Sequence, residues 1–338
     1  MTTRWLITGG CGFIGTNLIR RLIEEDGHAI RVLDNLSVGS VDDLRAVSPM
    51  TETLAGEDAA LLEPSVGNCQ LVVGDILDEA LALRVAAGMD MIVHLAANAR
   101  VHNLVKLPKG ARDNFEMTYN VLEFARKNDV ERFLFGSSRE VYGNKGKLIY
   151  NERDTHIDEC ESPYTASKVG GEAMLKAYER CYDLQSTILR FSNVYGRYDL
   201  SDRVLPLFIA QATEGQDLTV FGGDKILDFT YLDDCVAGIH GTITNFPKAQ
   251  GTTFNIASGV GTSLVELAET IIAELDADSN IHVKSSRTGE IRRYVADIAK
   301  AKKILGYQPE VGFEAGMMRT IEWYTSNESY LEEIRRKS

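Results

Sequence analysis

The stretch TGGCGFIG, residues 8–15, decides the fold of this chain. Its glycines follow the spacing G-x-x-G-x-x-G, between an apolar segment and an amphipathic one. Glycine lets a backbone turn tightly and approach a pyrophosphate, which the N–H groups at the start of a helix then bind. A plain structural turn would also use glycine, but the strand and helix patterns on either side favour a phosphate-binding turn. The sequence therefore predicts a strand, this turn and a helix that opens at Thr16.

Short apolar runs alternate with amphipathic helical patterns through the first half of the chain. Helical patterns such as Asn17–Glu25 and Glu116–Lys127 have apolar residues at i, i+3 and i+4. Strands that are almost wholly apolar and alternate with helices indicate a parallel sheet covered on both faces. The fold class predicted is α/β, with a Rossmann-type doubly wound parallel sheet. The predicted strands are Trp5–Thr8, Ile30–Leu33, Leu71–Val73, Met91–Leu95, Phe133–Phe135 and Thr187–Phe191.

The regular alternation is interrupted twice. Segment 48–68 is irregular and is predicted to be an excursion between the second and third strands. After about residue 190, glycine and proline become frequent, which indicates a smaller C-terminal lobe built from interleaved segments. We predict a Rossmann domain over residues 1–190, which also receives about 228–258, and a substrate-binding lobe that comprises most of 191–338.

Composition limits the classes of function. The chain has 338 residues, of which 44% are hydrophobic and 25% charged, and its formal net charge is −13. Phosphate backbones and anionic membranes require clustered Lys and Arg, so nucleic acid and membrane are not expected partners. No run approaches the roughly 18 apolar residues of a membrane span, and the first ten residues contain no visible signal peptide. We expect a cytoplasmic protein whose five scattered cysteines are reduced thiols, with no metal site.

An acidic residue ends the second predicted strand. Asp34, about 20 residues after the glycines, can accept hydrogen bonds from ribose hydroxyls and would repel a 2′-phosphate, which favours NAD over NADP. Asp75 ends the third strand and either faces the adenine or serves as a turn residue. His94 is interpreted as buried structure rather than a catalyst. The predicted cofactor-binding residues are Gly9, Gly12, Phe13, Ile14, Gly15, Asp34, Asn35, Asp75, Ile76, Leu95, Ala96, Ala97, Tyr164 and Lys168.

The segment SPYTASKVGG, residues 162–171, carries a catalytic pattern. Ser162 is a plausible N-cap and Pro163 suits the first turn of a helix. Tyr164 and Lys168 are then four residues apart and lie on one helix face. A tyrosine with a pKa near 10 needs a nearby cation to act as a base near pH 7, and a lysine at this spacing can supply it. The spacing alone is common by chance, so its weight comes from the other motifs.

Together, these motifs resemble the extended short-chain dehydrogenase/reductase family, and within it the NAD-dependent nucleotide-sugar epimerases and dehydratases. The resemblance covers essentially the whole chain, including LRFSNVYG at 189–196, DFTYLDD at 228–234 and RTGE at 287–290. It implies NAD as the cofactor and a nucleotide sugar as the substrate. The substrate-binding residues that it implies are Asn193, Arg203, Val204, Phe221 and Arg287.

The stretch FGSSREVYG, residues 135–143, is where the resemblance becomes ambiguous. It implies that Ser138 relays the proton that Tyr164 removes from the sugar, while Ser137 supports the turn. Glu140 matches the base of the 4,6-dehydratases and decarboxylases, and an extended chain would point it to the same side as Ser138. Arg139, however, stands where the dehydratases carry an acid, and an arginine cannot donate a proton near neutral pH. Arg139 could pair with Glu140 or contact a substrate carboxylate.

A second departure lies in the substrate lobe. Leu227 stands where many relatives carry a diphosphate-binding arginine, so Arg203 or Lys225 could bind the diphosphate instead. Arg287 is retained. Asn193 matches a residue near the sugar phosphates, and an Asx-turn is its alternative role.

The sequence therefore predicts an NAD-dependent nucleotide-sugar 4-epimerase, acting on a UDP-hexose or UDP-uronic acid, with a lyase that uses Glu140 as the alternative and a non-catalytic binding protein as a minor one. The catalytic residues expected are Ser138, Tyr164, Lys168 and Glu140. The resemblance also implies a homodimer formed by two helices, Asn114–Lys127 and Pro163–Tyr182. Both have more apolar residues than one buried stripe needs. Examples are Val121, Leu122, Phe124, Met174, Leu175 and Tyr178.

Overall fold

A computed structural model describes residues 3–25, 27–48, 52–55 and 66–337. The strands in these ranges are β1 (Thr3–Thr8), β2 (His28–Asp34), β3 (Glu52–Ala55), β4 (Cys69–Val73), β5 (Met91–His94), β6 (Arg132–Ser138), β7 (Ile149–Tyr150), β8 (Gln185–Phe191), β9 (Asn193–Tyr195), β10 (Leu218–Phe221), β11 (Ile226–Tyr231), β12 (Thr253–Ile256), β13 (Gly261–Ser263), β14 (Ile281–Lys284) and β15 (Arg293–Ala296). The α-helices are α1 (Phe13–Glu24), α2 (Val41–Val47), α3 (Glu79–Val85), α4 (Val101–Lys106), α5 (Lys109–Lys127), α6 (Pro163–Tyr182), α7 (Val204–Ala212), α8 (Leu232–Thr244), α9 (Phe246–Ala249), α10 (Leu264–Leu275), α11 (Ala299–Leu305), α12 (Phe313–Thr325) and α13 (Glu328–Lys337).

The main sheet has the order β12-β8-β6-β5-β1-β2-β4-β3, and every neighbouring pair is parallel. From β1 the chain builds the sheet outward on one side through β2, and it later returns to the other side of β1 through β5. This reversal opens a crevice beyond the carboxyl ends of β1 and β5, where open α/β sheets bind their ligands. The predicted Rossmann-type fold is confirmed, and each predicted strand lies within or overlaps an observed one.

Both faces of the sheet are covered, as the apolar strands require. In β1, Trp5 and Ile7 belong to one hydrophobic cluster with Leu18 of α1. Leu6, between them, faces the opposite side and belongs to a second cluster with Val121 of α5. This alternation follows from the two-residue period of a strand and places helices on both faces.

The irregular segment 48–68 adds a strand that was not predicted. Within it, β3 pairs in parallel with β4 at the edge of the sheet. Residues 49–51 and 56–65 of this predicted excursion lie outside the described residues.

The C-terminal lobe forms around smaller sheets. Strand β11 pairs with β9, β13 and β15, and β10 pairs with β14. The chain then returns to the main domain, because β12 extends the large sheet beside β8 and α8 packs on α1 through Leu232 and Ile239. The lobes are thus interleaved, while the functional division at residue 190 stays a prediction. No helix in the described part of the chain is long and apolar enough to cross a membrane.

Candidate active site

A cavity of about 640 Å³ lies at the carboxyl ends of the parallel strands, between the main sheet and the C-terminal lobe. Its wall is formed by the glycine-rich loop, the ends of β2 and β5, the β6–α6 region and the start of α7. Every residue predicted from the sequence to belong to the site lines this cavity, except Phe221. The sequence motifs therefore converge in space, although their individual roles stay predictions.

The glycine-rich loop passes very close to the end of β5. Gly9 has φ +71°, and a Cβ there would lie 2.8 Å from the backbone nitrogen of Ala96. A Cβ on Gly15 would lie 2.6 Å from the Cα of Gly10. Helix α1 begins at Phe13, three residues earlier than predicted, and its N-cap Gly12 has no side chain to bond the first N–H groups. These groups therefore remain available for an anion such as a pyrophosphate.

Asp34 is held at the end of β2 by the loop that it faces. Its Oδ2 accepts from the Cys11 N–H at 2.9 Å and its Oδ1 from the Leu36 N–H at 2.8 Å. Burial raises the pKa of Asp34, while these two hydrogen bonds oppose the rise. A carboxylate can accept about four hydrogen bonds, so acceptor capacity remains for ribose hydroxyls. The loop and Asp34 together fit a dinucleotide.

Asp75 and Asn35 form the next part of the wall. Asp75 Oδ1 accepts from the Leu77 N–H at 2.9 Å, and its Oδ2 accepts from the Asn35 amide at 3.3 Å. Both carboxylate oxygens of Asp75 therefore shape a turn, which is the alternative role that the sequence left open. The turn still borders the cavity.

His94 lies behind the site rather than in it. Its Nδ1 is 2.7 Å from the Thr8 hydroxyl, and the ring is buried between β1 and α5. Burial, with a smaller effect from Lys168, lowers the pKa of His94 to about 3. A ring that stays neutral and does not line the cavity agrees with a structural role.

The predicted acid–base residues meet where β6 ends against α6. Ser162 caps α6 by accepting from the Thr165 N–H at 3.1 Å, so the helix starts as predicted and presents Tyr164 in its first turn. Burial raises the pKa of Tyr164, and a hydrogen bond with Ser138 opposes the rise. The cations that lower this pKa most are Arg203 and Arg139. The resemblance had assigned Arg203 to substrate binding alone.

Lys168 occupies the position that the Tyr-x-x-x-Lys spacing predicts, but its direct partner is the strand. Its Nζ donates to the Gly136 carbonyl at 2.8 Å. Burial lowers the pKa of Lys168 to about 8, and the charge of Glu172 opposes this. The lysine therefore joins α6 to β6 beside the cavity, and its effect on Tyr164 stays a prediction.

Glu140 is not placed by the continuation of β6 that the sequence analysis assumed. The strand ends at Ser138, whose hydroxyl accepts from the Glu140 N–H at 3.2 Å, and residues Arg139–Tyr142 form a 3-10 turn. The alternation argument for Glu140 is therefore wrong. Arg139 Nη2 lies 2.9 Å from Glu140 Oε1, and both side chains are largely buried. Among the described residues, Arg139 Nη1 and Glu140 Oε2 have no hydrogen-bond partner.

The substrate side of the cavity contains an arginine that the sequence analysis missed. Arg100, in the loop after β5, forms an ion pair with Asp202. Burial and the neighbouring charge of Arg203 lower the pKa of Arg100 to about 10. The signal for it was weak, because a single arginine in a loop has no diagnostic spacing. Two guanidinium groups facing one cavity indicate an anionic ligand.

The other expected substrate contacts are distributed unevenly. Leu227 is buried in the wall, and Lys225 forms an ion pair with Glu290. The Asn193 amide donates to the Asp228 carbonyl at 3.0 Å, which gives it a structural contact beside the cavity. Phe221 lies off the wall, but the Arg287 guanidinium stacks 4.0 Å from the centre of its ring. Phe221 thus supports Arg287 rather than lining the cavity itself.

Comparisons with known proteins identify relatives of two activities. Residues 5–257 match the model of the NAD dependent epimerase/dehydratase family. A putative UDP-glucose 4-epimerase of Methanocaldococcus jannaschii is 33% identical over 95% of this chain and 98% of its own length. The solved UDP-glucose 4-epimerase of Thermotoga maritima, with UDP-glucose, is 30% identical with a TM-score of 0.83, covering 96% of this chain and 100% of its own. A dTDP-glucose 4,6-dehydratase of Streptomyces venezuelae, with NAD and TYD bound, is 30% identical with a TM-score of 0.87, covering 98% and 100%.

These findings agree with the geometry of the cavity. The family is named for its dependence on NAD, and the glycine-rich loop and Asp34 fit that cofactor, so the expectation of NAD is confirmed. The relatives divide between epimerases and dehydratases, and both act on nucleotide sugars according to their names. By sequence, fold and cofactor, the chain belongs to the NAD dependent epimerase/dehydratase family.

Proposed function

We propose that this chain is a nucleotide-sugar 4-epimerase that acts on a UDP-hexose or a UDP-uronic acid. The observation that carries the choice of epimerase over lyase is the state of Glu140. One of its oxygens is held by Arg139, and the other is buried with no partner among the described residues. A base must reach the proton that it removes, and the carboxylate of Glu140, although it lines the cavity, is held by the Arg139 guanidinium.

The proposed reaction uses three residues of the chain. Tyr164, as phenolate, takes the proton of the sugar 4-hydroxyl, and Ser138 orients that hydroxyl or relays its proton. The ammonium of Lys168 supplies a positive charge beside these two residues. NAD⁺, held by the glycine-rich loop and Asp34, would supply the acceptor for the C4 hydride and its donor to the other face of the 4-keto sugar, and its positive charge would lie near Tyr164. Tyr164 then gives the proton back to the new 4-hydroxyl, so the substrate and product have the same mass.

The positive groups on the substrate side support a diphosphate ligand. Arg203 has no ion-pair partner in the described part of the chain, and its charge lies close enough to Arg100 to help lower the pKa of Arg100. We propose that these two arginines and Arg287 bind the diphosphate in place of the arginine that is absent at position 227. A diphosphate would neutralise the repulsion between these two half-buried guanidinium groups.

A lyase is the second candidate, and Glu140 is also the observation that favours it. The residue lines the cavity, and burial raises its pKa, as is common for catalytic carboxylates. If Arg139 moved away, Glu140 could take a C5 proton from a 4-keto sugar. The lyase therefore requires the ion pair to open, whereas the epimerase does not.

The direct test is incubation of the purified protein with UDP-glucose, UDP-galactose, UDP-glucuronate and dTDP-glucose, followed by mass spectrometry and chromatography. We expect a product of unchanged mass and altered retention from one of the UDP-sugars. Loss of 18 mass units would identify a dehydratase, and loss of 44 a decarboxylase. No product from any of the four sugars would contradict the proposal for these substrates.

We also propose that the protein is a homodimer through α5 and α6, although not for the reason given by the sequence. Val121, Leu122 and Leu175, which were offered as a second apolar face, are buried within the single chain. The exposed side chains that support an interface are Phe115 and Tyr119 on α5, with Tyr182 at the end of α6. Exposed aromatic rings grouped on two packed helices are typical of an interface. Sedimentation of a monomer at micromolar concentration would contradict this proposal.

We also propose that the protein is cytoplasmic, because of the state of its cysteines. The five cysteines, Cys11, Cys69, Cys160, Cys181 and Cys235, are all free thiols. Free, largely buried thiols suit a reducing compartment. Cell fractionation with an antibody against the protein tests the location.

A further inference from the structure

A buried group of charged and polar residues lies directly behind the proposed catalytic residues. Glu172 is on α6, four residues after Lys168, so both side chains face β6. Its Oε1 accepts from the Ser137 hydroxyl at 2.5 Å. Arg190 on β8 holds the same carboxylate at both oxygens, with Nε to Oε1 at 2.9 Å and Nη2 to Oε2 at 2.6 Å. The side chains of Glu172 and Arg190 are only 10% and 5% exposed.

This group joins the three elements that form the catalytic wall. Ser137 immediately precedes Ser138 at the end of β6, and Gly136 accepts from Lys168. Strand β6 is therefore tied to α6 at two adjacent residues, once through Lys168 and once through Glu172. Arg190 adds β8, and its Nη1 donates at 3.1 Å to the hydroxyl of Tyr142, the last residue of the 3-10 turn that contains Glu140.

We propose that Glu172 is a positioning residue. Through Ser137 it fixes the end of β6 against α6, and it thereby sets the Ser138 hydroxyl relative to Tyr164 and Lys168. The inference rests on the proposed roles of those three residues. It also answers why two serines end this strand: Ser138 faces the reaction, while Ser137 bonds α6 rather than the turn that the sequence analysis expected.

The placement has an electrostatic consequence for Lys168. The charged and titratable groups around it are Tyr164 and Glu172 on α6, His94 on β5 and Arg190 on β8. Burial lowers the pKa of Lys168 to about 8 and Glu172 opposes this fall. Replacing Glu172 by an uncharged residue removes the one negative charge, among the described residues, that raises the pKa of Lys168. It also leaves Arg190 without its ion pair, although Arg190 keeps its hydrogen bonds to the Tyr142 hydroxyl and the Glu152 carbonyl. Lys168 should then lose its proton at a lower pH than in the wild type.

The chain offers a matched control on the same helix. Glu179 lies seven residues after Glu172 and also accepts from a serine hydroxyl of β8, that of Ser186, and from a cation, Lys176 at 2.9 Å. This pair ties α6 to the sheet but lies away from the cavity lining. Glu179→Gln therefore reproduces the loss of a helix-to-strand carboxylate without touching β6.

The experiment compares Glu172→Gln, Ser137→Ala and Glu179→Gln. It measures kcat and KM for UDP-glucose, NADH affinity from pH 6 to 9 by fluorescence, and the midpoint of thermal unfolding. We expect Glu172→Gln to lower kcat about tenfold or more with a KM within about threefold, and Ser137→Ala to lower kcat about threefold. Because Lys168 is a predicted cofactor-binding residue, we expect NADH binding to weaken at alkaline pH as Lys168 loses its proton. This weakening should move to lower pH in Glu172→Gln alone. Glu179→Gln should match the wild type in kcat and in this pH dependence.

Two outcomes would overturn the inference. One is an equal loss of kcat in Glu172→Gln and Glu179→Gln, and the other is a wild-type pH dependence of NADH binding in Glu172→Gln. If Glu172→Gln does not fold, Ser137→Ala decides, because it leaves no buried charge unpaired, and a wild-type kcat there would refute the positioning role. If the wild type does not convert UDP-glucose, the proposed function fails for that sugar while the NADH titration still tests Glu172.

Discussion

The two sides of the cavity are built from different parts of the chain. On the cofactor side the wall is mainly backbone, with glycines where a Cβ would strike a neighbouring loop and one carboxylate held by two N–H groups. On the substrate side the wall includes charged side chains from separate segments, most of which form ion pairs with one another. Backbone geometry is fixed by local sequence, whereas the pairing of long side chains depends on the whole fold. The cofactor side should therefore respond to small steric changes, and the substrate side to changes of charge.

Tyr164 lies between the two sides, and its replacement should give the largest effect. Tyr164→Phe removes the titrating oxygen and leaves the ring in its buried place. We expect turnover to fall about a thousandfold or more, since general acid–base catalysis commonly contributes this much. NADH affinity, measured by fluorescence, should stay within about threefold, because the cofactor wall is unchanged. A near-normal rate on the true substrate would show that another residue is the base.

The second prediction tests the backbone character of the cofactor side. In Gly15→Ala, the new Cβ would lie 2.6 Å from both the Gly10 Cα and the Gly9 carbonyl oxygen, so the loop must move. A displacement costing about 3 kcal/mol corresponds to about a hundredfold loss of NADH affinity. Gly241→Ala, in the last turn of α8, is the control, because a Cβ there would lie at an ordinary contact distance of 3.4 Å from its nearest neighbour, the Leu305 carbonyl oxygen. Equal NADH affinities in the two variants would contradict a steric role for Gly15.

The same contrast explains how much the sequence could predict. The glycines, Asp34 and the Tyr-Lys pair were found because each answers a local geometric demand at fixed spacing. Arg100 was missed because its value comes from meeting Arg203, more than a hundred residues away. Glu140 was misplaced because the change from strand to 3-10 turn at Ser138 follows from a side chain bonding the backbone two residues on. Fold and cofactor were thus accessible to sequence reasoning. On the substrate side, the pair of adjacent residues Arg139 and Glu140 was one of two alternatives offered by the sequence, whereas the meeting of Arg100 with Arg203 was not predicted.

The third prediction concerns charge on the cofactor side. Asp34→Ser removes the carboxylate that accepts from the loop and that is expected to repel a 2′-phosphate. We expect the ratio of NADH to NADPH affinity to fall about tenfold to thirtyfold, as the loss of a charge-assisted hydrogen bond and of the repulsion would give. Fluorescence titration with each nucleotide measures the ratio.

Asp75→Ser is the matched control for this change. Asp75 follows β4, the strand next to β2 in the same sheet, and accepts from the Leu77 N–H and the Asn35 amide. Its loss should weaken both nucleotides equally and leave their ratio unchanged. A shift of the ratio in Asp75→Ser that equals the shift in Asp34→Ser would mean that general acidity of this wall, rather than Asp34, selects the cofactor.

The smallest effect is expected at Glu140, and this prediction separates the two candidate reactions. In Glu140→Gln the side chain keeps its shape, and Arg139 Nη2 can still donate to the amide oxygen, so the turn after Ser138 should persist. An epimerase then loses less than about fivefold in kcat, because no step uses the carboxylate. A lyase would stop after oxidation at C4, since the C5 proton has no acceptor, and NADH absorbance at 340 nm would build and persist. We expect no such accumulation with any UDP-sugar that the wild type converts.

Arg139→Met is the complementary change. It leaves Glu140 without its cation, so the attraction that opposes the burial-induced rise of the carboxyl pKa is lost. If the Arg139–Glu140 ion pair has only a structural role, the Arg139→Met variant should still form the epimerised product and should form no dehydrated product. Two results together would contradict the epimerase: a product lighter by 18 mass units in Arg139→Met, and persistent NADH in Glu140→Gln. They would show that Glu140 is a catalytic base that the ion pair with Arg139 inhibits.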